Sequence, residues 1–267
     1  MKENKDKFIN KVLEHVLEIL ENVTEDSFEK TKEDVIQYLK GKEEALLGQH
    51  MLAMAVDAEV GRGYKEKFWQ FSDSFVVKPG LILRKVRESD KDDYIELQKE
   101  LDTLNLEYFL GNDAYCNLIW KEHIGDKTLM CVIEVNDEYV GYCGINNLVQ
   151  DKWELAIELF QAWRQKGIGY LALRTMIDEI KKRLGVCEFR VRIEPENYAS
   201  QRLFEKLGAV PKGISENVLI HEEEQEGDVG EYEDVVEDRL VAVAEKFGVE
   251  VKALRGMVLE YWITDEL

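Results

Sequence analysis

The sequence predicts a mixed α+β fold: a central, mostly antiparallel mixed sheet flanked by helices, behind an all-helical N-terminal region. Three observations carry this. Apolar residues recur at spacings of three and four through about the first 78 positions, the stripe of amphipathic helices. From residue 81 onward, β-rich runs alternate with helical ones. Two of those runs, LMCVIEV and YVGYCGINNL, are separated only by the polar turn NDE, the pattern of an antiparallel hairpin. The expected division is a helical region over 1–79 and a mixed domain over 80–267, with an acidic insertion at about 215–250.

The elements follow in chain order. Phe8, Val12, Leu13, Val16, Ile19, Leu20 and Val23 line one face of a first helix. A second begins near Ser27, carries Val35, Ile36 and Leu39, and stops at Gly41, a residue suited to a left-handed C-terminal cap. EEALLGQHMLAMAVDAEV makes a third and YKEKFWQF a fourth; His15 and His50 stand alone there and suggest no ligand set. Pro79 and Gly80 close the region. LILRKVRES reads as a strand, after which Ser89 caps a helix whose acid-rich first turn, DKDD, suits the helix dipole. LEYFLGNDAYCNLIWKE is an aromatic-rich helical or loop connection. After the hairpin, WELAIELF is a strand, GYLALRTMIDEIKKRL a long helix and CEFRVRIEP an alternating strand. NYASQRLFEKLG is a helix capped by Asn197 and ended by Gly208. Ten acidic residues between 221 and 238 read as a solvated loop or a cation-attracting lip. VVEDRLVAVAEKFG then has helical spacing, and MVLEYWITDEL is a final strand.

Composition narrows the function. A chain of 267 residues with 45% hydrophobic content can bury a substantial core. No segment approaches the roughly 18 apolar residues of a membrane span, and the charged N-terminus lacks the apolar block of a secretory signal. The expectation is a cytoplasmic protein with no membrane partner. Cys116, Cys131, Cys143 and Cys187 are scattered without metal-ligand spacing, so no metal is expected. The net charge of −20 argues against nucleic acid as a partner, because phosphate binding needs a clustered cationic face. It either solvates the surface or attracts cationic ligands.

The stretch WRQKGIGY, Trp163 to Tyr170, concentrates the chemistry. It fits a loose dinucleotide fingerprint, G-x-G-x-x-A, with Glu188 about 20 residues further on. A strand ends near Phe160, a cationic linker follows, and two glycines open a helix. Such a start presents unpaired N–H groups and a partial positive charge, which suits a pyrophosphate. A dinucleotide fold brings its first glycine directly off a parallel strand, whereas the strands expected here are antiparallel. No Gly-Lys-Ser/Thr follows, which excludes a Walker-type loop.

These residues resemble the GNAT superfamily of acyl-CoA N-acyltransferases. Its Q/R-x-x-G-x-G/A signature reads Arg164-Gln165-Lys166-Gly167-Ile168-Gly169. Its second pattern reads Asn197, Ser200, Leu203, Phe204, Leu207, Gly208 and Ala209. The resemblance spans about residues 81–267 and leaves out the N-terminal helices and the acidic insertion.

The resemblance implies an N-acetyltransferase with acetyl-CoA as co-substrate. It implies that backbone amides from Arg164, Gln165, Lys166, Gly167, Ile168 and Gly169 hold the pyrophosphate. Ile157 and Leu159 would pair with the pantetheine arm, and Asn197 joins the cofactor-binding set. Direct attack by an amine needs a general base: Glu154 and Glu158 are the candidates, with Asp151 third. Phe204 stands where many relatives carry a proton-donating tyrosine, which leaves Ser200, water or no dedicated acid. Tyr108, Phe109, Tyr115, Trp120 and Trp262 are expected near an acceptor that is a primary amine of a small molecule, cationic by the charge argument, or of a peptide. A homodimer is compatible with this reading. Two other classes stay open: a catalytically quiet CoA-binding regulator acting through its N-terminal helices, and an NAD-dependent oxidoreductase.

Overall fold

The computed structural model describes residues 56–102, 106–149, 152–216 and 238–264. The chain divides between Asp57 and Ala58 into two units, and nearly all described residues belong to the second. The first two expected helices, most of the third, His15, His50 and most of the acidic insertion lie outside the described residues.

The second unit is built on one eight-stranded sheet in the order β1-β2-β3-β4-β5-β6-β8-β7. Its strands are β1 (Ser74–Lys78), β2 (Leu81–Lys85), β3 (Leu129–Val135), β4 (Glu138–Ile145), β5 (Trp153–Leu159), β6 (Phe189–Ile193), β7 (Val210–Glu216) and β8 (Met257–Ile263). Every neighbouring pair is antiparallel except β5 and β6. The β3–β4 hairpin closes on Asn136 (φ 50°) and Asp137 (φ 68°), the two left-handed residues of a turn whose twist matches its strands. β3 is apolar from Leu129 to Ile133 because both its faces are covered there: Leu129, Cys131 and Ile133 enter one core, Met130 and Val132 the other.

Helices pack on both faces. α1 (residues 56–69), α4 (Ile168–Leu184), α5 (Tyr198–Lys206) and α6 (Asp238–Phe247) bury their stripes in the larger core, where Phe68, Met176, Phe204 and Ala244 meet the sheet. α2 (Lys91–Leu101) and α3 (Asp113–Ile124) cover the opposite face over β3 and β4 through Tyr94, Leu97 and Trp120. α4 illustrates how the sequence specifies an element. Ile168, Ala172, Leu173, Met176, Ile177 and Ile180 recur at three and four and are buried. Left-handed glycines stand at both ends, Gly167 and Gly185, and Lys181, Lys182 and Arg183 complement the C-terminal dipole.

Four details depart from expectation. The boundary between the expected third and fourth helices disappears, since residues 56–69 run as one helix through Gly61. That glycine admits a close approach: a Cβ there would lie 2.1 Å from the Asp126 carbonyl oxygen. Residues 74–78, expected inside the helical region, form β1. Ser89 does not cap α2. Asp90 occupies the N-cap, and its carboxylate accepts from the Arg87 N–H at 2.7 Å and from the buried Arg84 guanidinium at 2.8 and 2.9 Å. β7 was hidden by Pro211, which breaks the strand pattern. It sits on the sheet's outer edge where the pairing register shifts, a position that needs no N–H donor.

Candidate active site

The sheet opens at its centre. β5 pairs with β6 only at Trp153↔Phe189 and Glu154↔Arg190, although both strands continue. On its other edge β5 stays paired to β4 from Leu155 to Leu159. Successive residues of a strand point their backbone groups to opposite edges. Asn146 N–H donates to the Glu154 carbonyl at 2.9 Å and Phe160 N–H to the Val140 carbonyl at 3.1 Å, so the even-numbered residues bond toward β4. Ile157 and Leu159 therefore turn their N–H and C=O groups into the opening, where β6 no longer pairs. The Leu159 carbonyl takes a bond from Arg164 Nε at 2.8 Å.

The glycine segment lies at the mouth of this opening. Arg164, Gln165, Lys166 and Gly167 are exposed, whereas Ile168 and Gly169 are buried. Gln165 (φ 57°) and Gly167 (φ 76°) are left-handed, and they turn the chain from the strand into α4. No side chain caps that helix start, and its first turn carries no acid. The two glycines have different tasks. Gly167 supplies the left-handed turn. Gly169 lets α4 settle onto β5, since a Cβ there would meet Ile157 Cδ1 at 3.2 Å and Leu159 Cδ1 at 3.5 Å. Lys166 places its ammonium 4.7 Å from the centre of the Trp163 ring. Ile168 packs its side chain in the core, so only its amide is available. The opening can accept an extended chain as an added strand, and the segment at its end can accept an anion.

Glu154 and Glu158 share one face of β5, but their surroundings differ. Glu154 is buried, and its Oε2 accepts from Arg190 Nη2 at 3.1 Å and Arg192 Nε at 2.9 Å. Glu158 is half-buried, and the cation that acts on it among the described residues is Arg164, through space. Its Oε2 accepts from Gln98 Nε2 at 2.5 Å, and the Tyr142 hydroxyl also hydrogen-bonds it. Burial pushes the Glu158 carboxyl above its usual pKa, against the opposing pull of Tyr142, Gln98 and Arg164. Burial next to Glu158 raises Tyr142 well above the ordinary phenol range, so it stays a hydrogen-bond donor. The two carboxylates thus differ in their partners: guanidiniums for Glu154, an amide and a phenol for Glu158.

The remaining expected residues scatter. Asp151 lies outside the described residues, as does the Tyr108 side chain. Ser200 is on α5, which packs on the sheet face opposite Glu154 and Glu158. The Asn197 side chain caps α5, accepting from the Ser200 N–H at 3.1 Å, and so is engaged in the fold. Phe204 is a buried core residue. Phe109, Tyr115 and Trp120 gather in the core under α2 and α3, while Trp262 lies on β8 with Lys152 and Lys212 over its ring. Sequence reasoning missed Gln98, Tyr142, Arg190 and Arg192. Only the alternation in CEFRVRI hinted at the arginines, by putting both on one face. Among the described residues, no group of three or more His, Cys, Asp or Glu side chains could hold a metal ion. No described helix is long and apolar enough to cross a membrane.

Residues 80–210 match the family model described as acetyltransferase (GNAT) domain. The fold resembles a solved structure of the RimL ribosomal L7/L12 alpha-N-protein acetyltransferase in complex with coenzyme A. Identity is 15%, the TM-score 0.52, and the match covers 72% of this chain and 98% of that one. It also resembles the microcin C7 self-immunity acetyltransferase MccE in complex with acetyl-CoA and AMP, at 14% identity and a TM-score of 0.50. That match covers 70% of this chain and 94% of the other. No curated protein matches the sequence.

Proposed function

Because residues 80–210 match the model of an acetyltransferase (GNAT) domain, we propose that this chain transfers the acetyl group of acetyl-CoA to a primary amine by direct attack. The observation that supports it most is the parting of β5 from β6 directly beside the helix start at Gly167. The pantetheine amides pair with Ile157 and Leu159 as a short added strand. The pyrophosphate lies against the amides between Arg164 and Gly169, where the α4 dipole favours negative charge. The amine nitrogen attacks the thioester carbon, and backbone N–H groups facing the opening stabilise the oxyanion. Glu158 takes the proton that the amine loses. The carbon–sulfur bond then breaks and CoA leaves as a thiolate. Phe204 cannot protonate it, so the thiolate leaves unassisted or takes its proton from water.

Glu158→Gln should lower kcat by roughly 10²–10⁴-fold while leaving acetyl-CoA affinity unchanged by calorimetry. Full turnover by that variant would remove Glu158 from the mechanism. The base must be ionised, so activity should fall as pH drops through the raised Glu158 value. Glu154→Gln should act differently, because it removes the buried negative charge that Arg190 and Arg192 share: melting temperature should drop while kcat changes little. The acceptor is a small-molecule or peptide amine. Thiol release from acetyl-CoA across polyamines, aminoglycosides and peptides with free N-termini identifies it. Binding of CoA without turnover on every class would favour the quiet CoA-binding reading instead.

A further inference from the structure

The base carboxylate has a partner from outside its own sheet. Gln98 sits 60 residues away in sequence and reaches Glu158 Oε2 at 2.5 Å. The contact belongs to a built arrangement. Tyr142 and Glu158 are direct cross-strand neighbours on β4 and β5. Tyr94 and Gln98 are four apart on α2, and so lie one above the other on a single helix face. That face meets the cross-strand pair: the Tyr94 ring lies 5.8 Å from the Tyr142 ring, and the Gln98 amide lies on the Glu158 carboxylate. Two residues further along, Glu100 Oε1 accepts the backbone N–H of Gln161 at 2.5 Å, three positions before Arg164. The end of α2 thus grips β5 at the carboxylate and again just past the strand.

We propose that Gln98 is a positioning residue for the reaction: its side-chain amide fixes Oε2 of Glu158 and so holds the carboxylate in the orientation that receives the amine's proton. The inference rests on the reading of Glu158 as general base. An ionised carboxylate accepts this bond better than a protonated one, so Gln98 also holds the base ready. Among the described residues, the groups around Glu158 are few. Tyr94 and Gln98 face it from α2, Tyr139 and Tyr142 from β4, and Arg164 from the loop. On the same strand face, Glu154 is engaged by its two arginines. Gln98 is the only neutral amide among them, and removing it changes a hydrogen bond without changing any charge.

The test follows the Glu158 carboxyl carbon directly by 13C NMR in glutamate-labelled full-length protein, with the resonance assigned from Glu158→Gln. Gln98→Leu should move the midpoint of Glu158 titration up by about one pH unit. Gln98→Glu, which adds a like charge, should move it further. In turnover, the acidic limb of kcat should move by the same amount, giving about a tenfold loss below it and recovery above it. If Gln98→Leu does not fold by circular dichroism, Gln98→Met replaces it. An unmoved midpoint in a folded variant overturns the role of Gln98 and leaves the base reading intact. A moved midpoint together with full turnover by Glu158→Gln overturns the base reading, and the positioning role falls with it.

Discussion

At the residue scale, the same side chain type takes its role from its neighbours. Glu154 and Glu158 are indistinguishable in WELAIELF, since both alternate with apolar residues on one face. Only the fold separates them, by setting two arginines of β6 on one and an amide and a phenol on the other. His123 gives a second case. It is buried against the Tyr94 ring, with centroids 4.2 Å apart, and its Nε2 has no hydrogen-bond partner among the described residues. Burial, helped by nearby Lys65, pushes its pKa from 6.5 down to about 3. The folded ring is thus neutral, while the unfolded ring gains a proton below its ordinary value. Its contribution to stability is complete above pH 6.5 and drains away as pH falls toward about 3. His123→Phe should therefore flatten the dependence of melting temperature on pH between about 6.5 and 4. Parallel curves for the two proteins would contradict this.

At the element scale, α2 is the piece that joins fold to chemistry. Its N-terminus is fastened by a buried triad in which Arg84 of β2 meets Asp90 and Glu134, with side chains 7%, 6% and 14% exposed. Its last turns carry Gln98 and Glu100 to β5. Arg84→Met removes the shared cation and leaves two carboxylates without it, so urea unfolding should show a loss of about 3–5 kcal/mol. Because the same change frees the start of α2, it should also weaken the hold on Glu158. How much was legible beforehand follows the range of the signals. Gly167, Gly208 and Asn197 are readable because turn and cap chemistry is local, within four residues. Asp90 rather than Ser89 occupies the N-cap position, without a capping bond of its own, and its carboxylate is taken up by Arg84, which only the strand brings close. Gln98 was invisible because a half-buried glutamine on an amphipathic helix carries no local mark. β7 was concealed by its own proline.

At the scale of the whole molecule, the net charge of −20 gives a prediction about encounter. If the acids steer a cationic acceptor, kcat/KM for polyamines should fall steeply as salt rises, while that for neutral peptides should stay level. Equal slopes would mean the acids act only on solubility.

The opening between β5 and β6 has another side. An unpaired strand edge is a template for any extended backbone, and proteins usually keep such edges at the rim and blunt them. Here one lies in the interior of the sheet. The free protein should therefore be prone to capture foreign strands, and CoA should act as the missing one. Hydrogen exchange offers a signature with a period of two. In the free protein the Ile157 and Leu159 amides should exchange quickly, while Ala156 and Glu158, bonded to β4, stay protected. Bound CoA should slow the odd-numbered pair and leave the even-numbered pair unchanged. At a hundredfold excess over its Kd it should also stabilise the fold by roughly 2.7 kcal/mol. Cofactor and sheet would then be one cooperative object, with the cofactor as its ninth strand.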